Sequence, residues 1–152
     1  MTEITEFFTD LIIESLKYTG ITGLKRVNSS NILHHGLKVS GSAEYHSQGW
    51  VLHHATLLLS VNLHHLENSL LAKESRLKQR GRSMYFPTAN LPNFDLYFWK
   101  ENLFDLIEEY WRCSLKKSLL SQEEEKFGKK LAEKMYSQES WIFDKKRIVI
   151  KR

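Results

Sequence analysis

Residues 36–59, GLKVSGSAEYHSQGWVLHHATLLL, decide what kind of fold this chain can make. The stretch joins two apolar or β-branched segments, "LKVSGSAEYH" and "GWVLHHATLLLSV", with small and polar residues between them. Similar short segments, "GLKRV" and "NILHH", precede it, separated by Gly, Ser and Asn. Breaks of two to five residues suit adjacent antiparallel strands. The fully apolar end, "TLLLSV", predicts a strand buried on both faces.

Within the first segment one lysine, Lys38, precedes four small residues, Ser40, Gly41, Ser42 and Ala43. Small residues let a backbone approach a ligand closely. The amides of Gly41, Ser42 and Ala43 could point at an anion, with Lys38 supplying a positive charge; a phosphate or acyl phosphate suits such a place. A β-bulge carrying a surface lysine explains the same residues equally well. Six of the seven histidines form pairs, 34/35, 53/54 and 64/65. Paired residues on a strand point to opposite faces, so one of each pair can look at a site. His54, beside Ala55 and Thr56 at the entry to the apolar run, is the candidate for lining a cleft. None of the pairs has metal-ligand spacing, so no metal site is expected, and a histidine-held zinc is the weakest alternative.

Helices surround this region. "TEITEFFTDLIIESLKYTG" sets Ile4, Phe7, Phe8, Leu11, Ile12 and Leu16 on one helical stripe, with Thr2 as cap and Gly20 as terminator. "NLHHLENSLLAKE" repeats helical spacing at Leu63, Leu66, Leu70 and Leu71 behind the cap residue Asn62. Residues 74–93 are basic, contain Pro87 and Pro92, and read as a long connection of a kind that is often functional. "DLYFWKENLFDLIEEYWRC" predicts a helix with Trp99, Leu103, Leu106, Ile107 and Tyr110 on one face. "SQEEEKFGKKLAEKMYSQ" opens with a capping box, Ser121 to Glu124, and "SWIFDKKRIVIKR" suits a last strand. Helix, then strands, then helices predict an α+β fold with a mixed, largely antiparallel sheet. The expected core is Phe7, Leu11, Ile12, Leu57, Leu59, Leu63, Leu66, Trp99, Leu103 and Ile107.

The 152 residues, 41% hydrophobic and 26% charged, are enough for one globular domain. No apolar run approaches membrane-spanning length, and the acidic start lacks the features of a signal peptide. One cysteine, Cys113, excludes an internal disulfide framework and fits a reducing compartment, so a cytoplasmic location without membrane attachment is expected. Cys113 reads as a half-buried structural thiol. The net charge of +4 is uneven: residues 1–76 hold 6 Lys/Arg against 7 Asp/Glu, and residues 77–152 hold 16 against 11. A basic second half could face an acidic partner; no nucleic-acid reader motif occurs.

The run "LKVSGSAEYHSQGWVLHHATLLLSVNLHHLENSL" resembles the lysine strand and its successor in lipoate–protein ligases, members of the biotin/lipoate ligase catalytic-domain group. "PTANL" resembles that family's Val-Thr-Asn-Leu, and "LSQEEEKFGKKLAEKMYSQESWIF" its closing pattern. The resemblance implies a partial catalytic domain over residues 1–120, closed by a C-terminal helix and tail over 121–152. It implies ATP-dependent activation of lipoate or octanoate to an acyl-AMP, with magnesium accompanying the nucleotide, and transfer to a lysine of a lipoyl-accepting carrier domain. By position, Lys38 would contact the carboxylate and the α-phosphate, Ser40, Gly41, Ser42 and Ala43 would form the adjoining wall, and His54 and Thr56 would lie on the next strand. The cysteine-dependent acyltransferase branch fits less well, since Cys113 lies 75 residues after Lys38.

The pattern departs in places. The family's Arg-Arg-x-[Ser/Thr]-Gly-Gly-Gly motif is not found, its Asn-Asp pair reads Ser30-Asn31, the Arg before the lysine is Leu37, and the Gly after the histidine is Ala55. These departures leave two expectations: a catalytic segment that works with a separate N-terminal half, or a non-catalytic binding or assembly protein that self-associates or holds a partner.

Overall fold

The computed structural model describes residues 2–69 and 86–144. The chain forms two compact units, residues 1–114 and 115–152. The first opens with helix α1 (Thr2–Tyr18), followed by strands β1 (Leu24–Val27), β2 (Asn31–His34), β3 (Leu37–Ser47) and β4 (Trp50–Leu57), helix α2 (Leu63–Ser69) and helix α3 (Leu96–Trp111). The four strands form one antiparallel sheet in the order β1-β2-β3-β4. The fold is therefore α+β, as expected.

Turn chemistry sets the strand order. His35-Gly36 and Gln48-Gly49 each take two consecutive positive φ values, 48° and 86° in the first and 50° and 81° in the second. That is the two-residue hairpin turn whose twist matches its strands. Gly20, at φ 84°, ends α1 as the sequence suggested. The helix includes Thr2, the residue expected to cap it.

α1 covers one side of the sheet, and its buried face differs from the predicted stripe. Leu11 and Leu16 are buried, but Ile4 and Phe7 are exposed, while Thr5, Thr9, Ile13 and Ser15 are buried. The hydroxyls tolerate burial because they are satisfied: the Thr9 hydroxyl shares its one proton between the Thr5 and Ser29 carbonyls, at 2.7 and 2.9 Å, and Ser15 donates to the Ile12 carbonyl at 2.8 Å. The core joins Ile13, Leu16 and Ile21 to Ile32 and Val39 of the sheet and to Leu91. Of the expected core residues, Ile12, Leu57, Leu59 and Trp99 pack at its margin and Phe7 does not belong to it.

α3 begins at Asp95, whose carboxylate accepts from the amides of Tyr97 and Phe98. It is tied to α1 by the Trp99 indole, which donates to Ser15 Oγ at 2.8 Å, and by the Tyr110 hydroxyl on Glu14 at 3.2 Å. Its buried residue is Leu106, and Tyr110, predicted on the inner face, is exposed. Asn62 caps α2, accepting from the His65 amide at 3.0 Å; Leu70 and Leu71 lie outside the described residues. Cys113 is exposed, not half-buried, because it follows the left-handed residue Arg112 that closes α3.

In the second unit, α4 (Gln122–Leu131) carries the predicted capping box, Ser121 with Glu124. A π-helical turn (Ala132–Tyr136) and a short helix α5 (Glu139–Ile142) follow. Residues expected to start a last strand are thus helical, and 145–152 lie outside the described residues. No described helix is long and apolar enough to cross a membrane.

β4 departs most from expectation. The end expected to be buried on both faces, residues 56–61, is not: Leu57, Leu58 and Leu59 are only half-buried, Thr56, Ser60 and Val61 are exposed, and the strand stops at Leu57. α1 packs mainly on β1, β2 and β3 and reaches β4 through Phe8 and His53, and β4 is an edge strand of the sheet. An apolar run fixes strand character, but which faces are covered depends on what else the chain supplies.

Candidate active site on the lysine strand

Two strand faces must be told apart. His53 stacks on Phe8 of α1 with ring centroids 4.8 Å apart, so it looks toward the helix. Register then puts Ser42, opposite Ala55, and Glu44, opposite His53, on that same helix side. His54 and Thr56 point to the other side, opposite Ala43 and Gly41.

Lys38 would fall on the helix side too, were β3 regular, because it lies three residues from Gly41. It does not. Ile32 pairs with Ser40 and Leu33 pairs with Lys38, leaving Val39 as an extra residue. This bulge turns Val39 and Ser40 both inward, where they are 0% and 2% exposed. Lys38 is released to the face of Gly41, so its amine lies over the Gly41 backbone: a Cβ placed on Gly41 would be 3.0 Å from both Lys38 Cε and Nζ. Asn31 shares this rung, its Oδ1 3.6 Å from the same point. Burial pushes the Lys38 amine below the ordinary lysine range.

The backbone of Lys38 is held on both sides. β2 flanks it at Leu33, and where β4 ends, the segment Pro87–Leu91 takes its place. Lys38 donates its amide to the Pro87 carbonyl at 2.7 Å, and its own carbonyl accepts from the Ala89 amide at 3.0 Å, a parallel bridge opposite Thr88. Asn90 anchors that segment, accepting from the Val61 amide and donating to the Val61 carbonyl, both at 3.0 Å. Leu91 is buried in the core and donates its amide to the Leu58 carbonyl at 2.7 Å. This is the structural meaning of "PTANL".

Of the predicted site residues, Lys38, Gly41, Ala43, His54 and Thr56 share the open face, and Ser40 and Ser42 look toward α1. Thr56 donates its hydroxyl to the Gly41 carbonyl at 3.3 Å. The expected cradle of amides is altered: the Ser42 amide donates to the Ser30 carbonyl at 2.8 Å and is not free for a ligand. Ser42 instead lines a cleft of about 520 Å³ with Thr5, Ser29, Ser30 and Glu44, on the side of the sheet away from Lys38. Composition and spacing did not single out Asn31, Thr88 or Asn90. The Thr88 hydroxyl, beside Lys38, is buried with no hydrogen-bond partner among the described residues.

What the open face can hold follows from its donors. A half-buried amine over a bare α-carbon, next to the buried Thr88 hydroxyl, fits an anionic group such as a carboxylate or phosphate. Asn31 offers a neutral amide there, a poorer ligand for a divalent cation than a carboxylate, and no group of three His, Cys, Asp or Glu comes together among the described residues.

Comparisons with known proteins agree on one family. The model of the lipoyl protein ligase A/B catalytic domain matches residues 1–94. Lipoate-protein ligase A of Psychrobacter cryohalolentis is 35% identical over 104 residues, which cover 67% of this chain and 30% of that protein. Lipoate-protein ligase LplJ of Bacillus subtilis is 26% identical over 88 residues, covering 57% of this chain and 26% of that protein. The chain thus spans less than a third of the length of these curated relatives. A crystal structure of lipoate-protein ligase A bound with ATP superposes with a TM-score of 0.73 at 19% identity, covering 93% of this chain and 58% of that one. A bi-partite lipoate protein ligase from Thermoplasma acidophilum, solved in a study of it and its E2 lipoyl domain, gives 0.76 at 18% identity, covering 99% and 61%. The lysine strand and the sheet around it are therefore those of a lipoyl protein ligase A/B catalytic domain, and the chain belongs to that family.

Proposed function

We propose that this chain is the lysine-bearing part of an ATP-dependent lipoate–protein ligase, which activates lipoate or octanoate as an acyl-AMP and passes the acyl group to a lysine of a lipoyl carrier domain. One observation carries the reading: the Lys38 amine, half-buried over Gly41, shares a face with His54 and Thr56.

Activation requires a carboxylate to approach an α-phosphate. Two like charges about 4 Å apart repel by about 4 kcal/mol at an effective dielectric of 20. A cation held between them offsets this, and remains in place when negative charge develops during acyl transfer. Lys38 is suited to that task because its backbone is fixed on both sides, which leaves only the side chain to be ordered at the moment of reaction. The depressed pKa reflects desolvation of the amine by burial, and an arriving carboxylate or phosphate would restore the charged form. His54 offers a ring nitrogen on the neighbouring strand. Ser40 and Ser42 enter through their backbone, which frames Gly41. The carboxylate displaces pyrophosphate from the α-phosphorus of ATP, and the AMP so attached is the leaving group when the carrier lysine attacks the acyl carbon.

The test is incubation with lipoate or octanoate, ATP, magnesium and an apo lipoyl domain, read by intact mass. It is run on the chain alone and with a separate segment carrying Arg-Arg-x-[Ser/Thr]-Gly-Gly-Gly. Acylated carrier is expected in at least one arrangement, and Lys38→Met should lower its rate by roughly 10²–10³. No product in either arrangement removes the reading.

A second reading, a binding or assembly protein, is favoured by the apolar residues on the Lys38 face and at the β4 edge: Trp50 is 81% and Leu52 61% exposed. Sedimentation separates it: a monomer at all concentrations, with no dye-detectable apolar surface, counts against it.

A further inference from the structure

We propose that Gly41 is a positioning residue for Lys38: its bare α-carbon is the seat on which the terminal methylene and amine of the lysine rest, and the extra residue Val39 is what turns both onto one face. The proposal rests on the ligase reading only for the use to which the seat is put.

Two observations carry it. The first is register. Side chains alternate along a strand, so residues three apart belong to opposite faces. The step from Leu33–Lys38 to Ile32–Ser40 leaves Val39 unpaired and cancels that opposition. The second is the reason for a glycine. Gly20, Gly36 and Gly49 have positive φ and open space where a Cβ would stand, so their freedom is conformational. Gly41 is different. Its φ is not positive, so the backbone accepts any residue, and the space beside it is taken, at 3.0 Å, by Lys38 Cε and Nζ. Glycine at 41 makes room for the lysine and is not needed by the strand. A methyl there would push the amine by a few tenths of an ångström; a branched side chain, well suited to a strand, would expel it.

The test measures the amine directly. Competitive acetylation with acetic anhydride across pH, read by peptide mass spectrometry, gives the titration midpoint of Lys38 in the whole chain. N-acetyl-lysine amide serves as the solvated reference. In the native protein the midpoint should lie below the reference, as burial of the amine requires. In Gly41→Val it should rise to the reference, with Gly41→Ala between the two. Equal midpoints in all three proteins overturn the proposal. If Gly41→Val loses its far-ultraviolet circular dichroism, Gly41→Ala and Gly41→Ser make the comparison, and an unchanged midpoint in both overturns it equally. Carrier acylation is scored separately. A shifted midpoint with no acylation by any arrangement of the native chain leaves the seat standing and removes the ligase reading. Acylation with an invariant midpoint does the reverse.

Discussion

Replacing Asn90 by alanine should loosen the backbone beside Lys38 without unfolding the sheet. The Asn90 carboxamide makes two hydrogen bonds, one to each backbone group of Val61, both 3.0 Å long and both exposed. Neutral hydrogen bonds contribute about 0.5–1.5 kcal/mol each, and exposed ones belong at the lower end because water replaces them. The pair is thus worth about 1 kcal/mol, or roughly a fivefold change in the equilibrium for local opening. The segment it holds carries three bonds that report on that opening: Lys38 amide to Pro87 carbonyl, Ala89 amide to Lys38 carbonyl, and Leu91 amide to Leu58 carbonyl. Native-state hydrogen exchange should find these three amides exchanging about fivefold faster in Asn90→Ala. The Ser42 amide, bonded to Ser30 on the far side of β3, should keep its rate. Asn90→Asp retains an acceptor for Val61 N–H but sets a charge against the Val61 carbonyl, so it should open at least as easily. If the Lys38 and Leu91 amides keep their native protection in Asn90→Ala, Asn90 does not anchor the segment.

Two other consequences are measurable. Ser15→Ala strands the partly buried Trp99 indole N–H and should cost about 1–3 kcal/mol in urea denaturation. In a cycle with Trp99→Phe the two changes should couple by about 1 kcal/mol, and strict additivity would show that the bond ties nothing. Acid should weaken the α1–β4 junction. Desolvation holds the His53 imidazole below its usual pKa of 6.5, against the opposing pull of Glu44. The unfolded chain therefore takes up that proton first, and stability is full above pH 6.5 and declines as pH falls from there toward the folded value. Glu44 adds to the loss at lower pH: burial pushes its carboxyl up, but hydrogen bonds from His46 and Thr5 and nearby imidazole charge outweigh this and hold it below 4.5. Its stabilisation is full above pH 4.5 and is lost as pH falls through the lower folded value. His53→Phe keeps a ring against Phe8 and should flatten the denaturation midpoint between pH 6.5 and 5; an unaltered slope would assign the effect elsewhere.

Much of this architecture was legible because short-range rules govern it. The stripe in residues 4–16 demanded a helix, Ser121 and Glu124 form the capping box their spacing implied, and the apolar segments separated by Gly, Ser and Asn became hairpins. The side each element buries was less legible. Thr5, Thr9 and Ser15 look polar in a sequence, yet local or tertiary hydrogen bonds of Thr9 and Ser15 remove the penalty of burying their hydroxyls. "TLLLSV" looks like a central strand because nothing local says that β4 stops at Leu57 and lies at the edge. At the candidate site, Lys38, Gly41, His54 and Thr56 were visible as residue types. Their sharing of a face was not, since it depends on a register slip against β2, and a slip is a property of two strands. Thr88 and Asn90 come from a segment fifty residues away, and only the "PTANL" likeness pointed to them.

The unpaired Val39 also limits what can be transplanted. Moving residues 38–41 into a regular strand of another scaffold would carry the chemistry but aim the amine at the wrong side of the new sheet. A designer borrowing this lysine must take the Ile32–Leu33 step of the neighbouring strand as well, because handedness of presentation is written in the pair and not in the four-letter motif.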